Sequence, residues 1–307
     1  MTSPFPSATS TWHSTAYPSI SPLRPELSQK GKVILITGGG TGIGAATAHA
    51  FAEAGASRIA LLGRREQPLL DTKASIQKQF PGVDVFTASV DVSKTDQVNA
   101  AFESFVPLAS GQKIDVVVSN AATIGPIDPF LSVADDDFLN GVTSNVAMAW
   151  NVARALIPRA APNATVIDVN SNAAHVDYFD GFASYSVAKW ADHRLWQIVG
   201  FNNPGFSVFS IHPGVVDTDM NKAVGGVKAM GYEDHASLPA HFSVWLASPE
   251  AHFLKGKFLW TNWDVDELKA QAKEIEATDK FSVKMVGYPF GAKDNAPNMP
   301  EDSPWKN

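Results

Sequence analysis

The residues best suited to chemistry are Tyr185 and Lys189, in the run Tyr185-Ser186-Val187-Ala188-Lys189. Four positions apart on a helix, a phenol and an ammonium share one face. A phenol titrates near pH ~10 in water, and a neighbouring cation favours the phenolate. Such a pair can give or take a proton near neutral pH. Ser171 closes an apolar run ahead of that helix. Its hydroxyl could hydrogen-bond a substrate carbonyl, or serve only to make a turn. Asn145 falls by spacing on the apolar stripe Phe138, Val142, Ala149, Val152 and Leu156. A buried amide needs partners, so Asn145 either bonds backbone or orders a water near the lysine.

A second constellation lies near the amino terminus. The apolar run Val33-Ile34-Leu35-Ile36 breaks into Thr37-Gly38-Gly39-Gly40-Thr41-Gly42-Ile43-Gly44, and an alanine-rich helical stretch follows to Gly55. Glycines at Gly38, Gly40, Gly42 and Gly44 let a pyrophosphate approach the backbone, and the amides of a helix start, around Thr41 and Ile43, attract it. In strand–turn–helix context this motif predicts dinucleotide binding. The second apolar run ends in Gly63-Arg64-Arg65 with no carboxylate at the strand end. An acid there would hold a ribose hydroxyl, whereas guanidinium groups grip a 2′-phosphate. Arg64 and Arg65 therefore favour NADP(H) over NAD(H). Two solvated arginines at a helix start are the plainer alternative.

The elements that position these residues alternate. Strands are expected at 33–36, 58–62, 84–88, 114–118, 164–169, 206–211 and 257–260, with helices near 66–80, 95–108, 134–156, 183–199 and 239–247. Short apolar runs between helical periods predict an α/β fold: a doubly wound parallel sheet (a Rossmann fold) of about seven strands, with helices on both faces. Ligands of such sheets sit beyond the carboxyl ends of the strands. Residues 31–264 read as a single catalytic domain. Residues 1–30 form a Pro/Ser/Thr-rich extension. It lacks the basic start and apolar core of a signal peptide, and reads either as a disordered tail or as an arm anchored by Trp12, Tyr17, Ile20 and Leu23. Residues 265–307 read as a helix and tail, the helix opened by a capping box of Asp264 and Glu267.

Composition narrows the partners. The 307 residues carry a formal net charge of -7 and no cysteine. An acidic balance argues against nucleic acid. No apolar run reaches the ~18–20 residues of a membrane span, so a cytoplasmic location is expected. Thiol nucleophiles and iron–sulfur clusters are excluded, and the histidines lack metal-ligand spacing, so no metal site is expected.

In order and spacing, the residues resemble the short-chain dehydrogenase/reductase family across positions 32–264. The matches are Thr37-Gly38-x-x-x-Gly42-x-Gly44, Asp91-Val92, Ser119-Asn120-Ala121-Ala122, Asn145, Ser171, Tyr185-x-x-x-Lys189 and Pro213-Gly214-Val215-Val216-Asp217-Thr218. The resemblance implies that Tyr185 protonates a carbonyl oxygen as hydride leaves the nicotinamide, and that Lys189 holds the nicotinamide ribose. It implies too that Ser171 orients the carbonyl and that Asn145 positions a water in a proton relay. Asp91 and Val92 would border the adenine, Asn120 would stabilise the central strand, Ala121 and Ala122 would lie beside the cofactor, and Val216 and Thr218 would contact the carboxamide after Pro213 and Gly214. Family members commonly form homodimers or homotetramers through the helices that here carry Asn145 and Tyr185. The carboxyl-terminal part resembles fungal members associated with secondary metabolism.

Four departures stand out: Ala122 replaces the usual Gly, Ser119 a frequent Asn, Asp168 the usual Asn, and Ser171 lies one residue farther from Tyr185. Substrate-lining segments are expected at 173–182 (His175, Tyr178, Phe179), after Thr218 (Met220, Val224, Met230, Tyr232) and near Trp260 and Trp263. His175 reads as an exposed loop histidine or as a substrate contact. Their aromatic content points to a hydrophobic ketone or its alcohol. A redox-neutral dehydratase or isomerase, and a non-catalytic dinucleotide sensor, are the alternatives.

Overall fold

A computed structural model describes residues 5–177, 181–227 and 231–285. Seven parallel strands form one sheet: β1 (Val33–Thr37), β2 (Arg58–Gly63), β3 (Asp84–Ser89), β4 (Ile114–Ser119), β5 (Ala160–Val169), β6 (Ser207–His212) and β7 (Phe258–Trp260). Their order is β3-β2-β1-β4-β5-β6-β7. The order reverses between β1 and β4, which opens a crevice at the strand ends.

Alternation along each strand divides the core in two. Ile34 and Ile36, Ile59 and Leu61, and Phe209 and Ile211 face one side. There they meet α1 (Gly42–Glu53), α2 (Glu66–Gln79) and a later helix, Ser237–Leu246. Leu35, Ala60, Leu62, Val117 and Val166 face the other side, packed on α3 (Thr95–Phe105), α4 (Asp135–Leu156) and α5 (Ala183–Asn202). Both faces are covered, as the near-continuous apolar runs require. A short helix, α6 (Asp219–Lys222), precedes Ser237–Leu246, which is α7; α8 (Val265–Ala270) and α9 (Ala272–Ala277) are the last helices among the described residues.

Expected boundaries moved for identifiable reasons. Helix α3 stops at Phe105 rather than near 108, because Pro107 disfavours helical backbone at Val106. Pro68 is tolerated inside α2 because it lies in the first turn. Strand β5 starts at Ala160, four residues before the expected start.

The amino-terminal segment packs as an arm. Trp12, Ile20 and Leu27 are buried in the first core. Trp12 forms an antiparallel bridge with Trp263, and Arg24 grips Glu250 through both terminal nitrogens, at 3.2 and 2.6 Å. Tyr17 stacks on His13 and bonds the backbone of Trp263 and Val265. The expected anchor Leu23 is instead 72% exposed, since the neighbouring Arg24 turns inward to its carboxylate. The expected capping box forms only in half. Asp264 accepts from the amides of Asp266 and Glu267, but Glu267 turns to the arm and accepts from Ser10 and Thr11.

Candidate active site

A cleft of about 840 Å³ opens at the carboxyl ends of the strands. Its floor is the glycine turn between β1 and α1. Gly38 has φ +69°, and a Cβ there would stand 2.6 Å from Asn120 Nδ2. A Cβ on Gly44 would stand 2.2 Å from the Gly38 carbonyl oxygen. Helix and turn can approach only without side chains at these positions. Thr41, at the start of α1, makes no side-chain cap, so the first-turn amides are available to an anion.

The turn is clamped to β4. Thr37 Oγ1 accepts from the amides of Asn120 and Ala121, each at 2.9 Å, and Asn120 Nδ2 donates to the Thr37 carbonyl at 2.9 Å. Gly38, Gly40, Thr41, Gly42, Ile43, Arg64, Arg65, Asp91, Val92, Asn120, Ala121, Ala122, Tyr185, Lys189, Pro213 and Thr218 all line the cleft. Gly44 stands behind the turn. Gly214 and Val216 are not lining residues either: Gly214 packs on Asp234 and Val216 bridges to it.

The two arginines differ. Arg65 reaches across the mouth to Asp219 at 3.0 Å, an exposed pair that sequence separation hid. Arg64 is exposed, lines the cleft, and has no hydrogen-bonded side-chain partner among the described residues. Asp91 lies nearby, held below the usual carboxylate range chiefly by a bond from the Ser93 hydroxyl, despite partial burial. These residues fit a nicotinamide dinucleotide: bare backbone and helix amides for the pyrophosphate, and an unpaired guanidinium at the adenosine end of the cleft.

Helix α5 brings Tyr185 and Lys189 to the opposite wall. Lys189 is 3% exposed. Its Nζ donates to the Val169 carbonyl at 3.1 Å, stands 3.6 Å from Asp192 Oδ2, and lies 5.9 Å from the Tyr185 ring centre. Burial alone would lower its pKa, but Tyr185, Asp192 and Asp168 together outweigh it and hold the ammonium above the ordinary lysine value.

Behind this lysine lies a buried network that sequence reading anticipated only as an unexplained Asp168. Asp168 Oδ2 accepts from Asn170 Nδ2 at 2.7 Å and from the Ser210 hydroxyl at 2.9 Å. With the Ser210 hydrogen so committed, His193 Nδ1, 2.8 Å from Ser210 Oγ, must be the protonated nitrogen. Burial raises Asp168 despite Lys189 and these donors. Burial also raises Asp192, to about 6, although Lys189 pulls the other way. Its spacing was the available signal, because Asp192 shares the Lys189 face one turn on.

Ser171 and Asn145 take less exposed places. Ser171 Oγ accepts from the Ala173 amide at 3.2 Å and donates to Asn172 Oδ1 at 3.3 Å; the residue does not line the cleft. Asn145 is engaged with backbone at three points. It accepts from the Thr123 amide and donates to the carbonyls of Thr123 and Gly141, all at 2.9 Å. Thr123 lines the cleft, so Asn145 fixes that wall to α4. His175 stays exposed, but Trp260 Nε1 donates to its Nε2 at 3.2 Å. Met220 lines the cleft. Tyr178, Phe179 and Met230 lie outside the described residues. No described helix is long and apolar enough to cross a membrane.

Comparison with known proteins agrees with this geometry. The family model described as short chain dehydrogenase matches residues 32–227. A short chain dehydrogenase/reductase of Claviceps purpurea is 33% identical over 280 residues, covering 90% of this chain and 93% of the relative. Short chain dehydrogenase/reductase AacuD of Aspergillus aculeatus is 33% identical over 276 residues, covering 89% and 94%. Among solved structures, a 7 alpha-hydroxysteroid dehydrogenase complexed with NADH and 7-oxo glycochenodeoxycholic acid superposes with TM-score 0.69 at 25% identity, covering 80% of this chain and 97% of the other.

Proposed function

The chain belongs to the short chain dehydrogenase family, oxidoreductases acting on CH–OH and C=O groups with nicotinamide cofactors, and from that premise we propose that it is an NADP(H)-dependent enzyme interconverting a hydrophobic ketone and its alcohol, with Tyr185 as general acid and base. The observation that carries this reading is one cleft lined both by the glycine turn with Arg64 and by the Tyr185–Lys189 pair. When bound, the nicotinamide supplies or accepts the hydride. The protein's part is to bind, orient and move a proton. Tyr185 gives its hydroxyl proton to the carbonyl oxygen in the reductive direction and takes it back in the oxidative one. Lys189, fixed by the Val169 carbonyl and Asp192, places a cation beside that phenol and would hold the nicotinamide ribose when the cofactor is bound. Asn145 acts by holding Thr123. Ser171, turned to Asn172 and Ala173, needs a rotation of its hydroxyl to meet a carbonyl.

Arg64 supports NADP(H), because its guanidinium is unpaired while that of Arg65 already has Asp219. A homodimer or homotetramer is supported by exposed apolar side chains on α4 and α5: Trp150, Val187, Trp190, Ile198 and Phe201. A subunit interface through these two helices would cover these large groups.

The test is absorbance at 340 nm with a ketone panel. Tyr185→Phe should lose at least a hundredfold in kcat, within the range general acid catalysis contributes, while NADPH still binds. Arg64→Ala should raise the KM for NADPH and leave that for NADH nearly unchanged. Full turnover by Tyr185→Phe would refute the acid role. An unchanged NADPH KM in Arg64→Ala would refute the cofactor assignment.

A further inference from the structure

A second cavity, of about 740 Å³, is built from both ends of the chain. Its walls are Phe5 to Ala8 of the arm, His175 and Val176 after β5, Phe258 and Trp260 of β7, then Trp263 and the segment from Phe281 to Lys284. Its aromatic groups are held in place by one another. Phe5 meets Trp260 edge-on at 5.4 Å between ring centres, and Trp12 meets Trp260 at 6.1 Å. Trp260 and Trp263 are parallel, 6.4 Å apart. His175 meets Phe258 edge-on at 4.6 Å.

The polar endowment is sparse and specific. Trp260 Nε1 donates to His175 Nε2 at 3.2 Å, so Nδ1 carries the proton of the neutral ring. Although the residue is partly open to solvent, desolvation by the rings around it lowers its pKa. Nδ1–H has no partner among the described residues, and neither has the buried Nε1–H of Trp263, so two lining rings carry unpaired donors. Fixed rings with unpaired ring donors suit a flat ring system carrying an acceptor.

We infer that this cavity receives a planar aromatic ring bearing a carbonyl or similar acceptor, and that the amino-terminal arm is the wall selecting it. Among the described residues, the cavity shares no lining residue with the cleft that holds Tyr185, so binding here is at a separate site and does not rest on the reductase reading.

The probes are 1-tetralone and its saturated counterpart trans-1-decalone, titrated into the full-length protein with tryptophan fluorescence as readout. Wild type should bind 1-tetralone saturably and three- to tenfold more tightly than trans-1-decalone, the range expected of aromatic contacts. Phe5→Ala and His175→Ala should each weaken 1-tetralone by at least threefold and narrow the preference, with thermal melting showing both variants folded. Phe5 lies near the chain end, so its variant keeps the test open should His175→Ala fail to fold. Saturable, Phe5-dependent binding supports the compartment whether or not 1-tetralone is turned over with NADPH. Absent or non-saturable binding, or equal affinity in wild type and Phe5→Ala, overturns the inference.

Discussion

Replacing Asp192 by Asn should make the protein more stable. Asp192 pairs with Lys189 at 3.6 Å, and both are buried. Intuition credits such a pair with stability, yet desolvation can exceed the attraction. Here burial lifts Asp192 to about 6 from 3.8, and its Oδ1 has no hydrogen-bond partner. At 1.36 kcal/mol per pKa unit, ionising this carboxyl costs the folded chain about 3 kcal/mol more than it costs the unfolded one. An amide of the same shape avoids that cost. One of its groups stays unpartnered, which returns about 1 kcal/mol. Above pH 7 the gain should be about 2 kcal/mol. Because the folded pKa is the higher one, the Asp192 penalty leaves wild type as pH falls through about 6 toward 3.8, and the difference between the two proteins should close there. Urea denaturation of both proteins at pH 8 and pH 4.5 measures this. Turnover should fall, because Lys189 loses the group that orients it. A variant less stable than wild type at pH 8 would show that Lys189 over-compensates the buried charge and would refute the reasoning.

Other positions give equally direct tests. Gly44→Ala places a methyl 2.2 Å from a carbonyl oxygen and 2.8 Å from Asn120 Nδ2, so NADPH affinity by fluorescence titration should drop at least tenfold. Unchanged binding would mean the turn is softer than its contacts imply. Trp12→Ala empties a site that is 4% exposed and should cost about 3–5 kcal/mol, read as a lower urea midpoint; no change would place the arm outside the cooperative fold. His193 and His212 are pushed down to about 4 and about 3 by burial. Since the unfolded chain then binds more protons, stability should fall between pH 6.5 and pH 4.5. The two histidines lose roughly 5 kcal/mol and Asp192 offsets roughly 2. A flat urea-midpoint profile over that interval would contradict their buried neutral state.

What could be read beforehand was what neighbouring residues decide. Runs such as Val33 to Ile36 and Ile114 to Val118 announce buried strands because both faces of the sheet are covered. The glycine turn and the Tyr185–Lys189 spacing are equally local, and the cleft unites them. Features made by side chains from distant elements were not legible. Arg65 finds Asp219 across 154 positions. Asp168, Ser210 and His193 come from β5, β6 and α5, and only packing assembles them. The half-made capping box fails for the same reason: the backbone amides of the arm reach Glu267 across 256 and 257 positions and outcompete a local bond. Leu23 looked like an anchor by type, but the chain buried Trp12, Ile20 and Leu27 and paired Arg24 instead.

The arm is also wired to the nicotinamide end of the cleft. His13 exchanges two bonds with Asn262: its amide donates to the Asn262 carbonyl, and Asn262 Nδ2 donates to the His13 carbonyl, both at 2.9 Å. The same Nδ2 reaches Asp234 Oδ1 at 3.0 Å. Asp234 Oδ2 accepts from the Val215 amide at 2.8 Å, and a Cβ on Gly214, whose φ is +83°, would stand 2.5 Å from that oxygen. Burial raises the Asp234 carboxyl while these donors lower it, so the group is stabilised only as far as its neighbours stay in register. Gly214 is therefore bare for a different reason than Gly38. Gly38 makes room at the floor of the cleft, whereas Gly214 makes room for a carboxylate that ties Pro213 to Thr218 to the strand end carrying the arm. A segment of sequence ahead of the first strand thus bears on the geometry of the cleft wall made by Pro213 and Thr218.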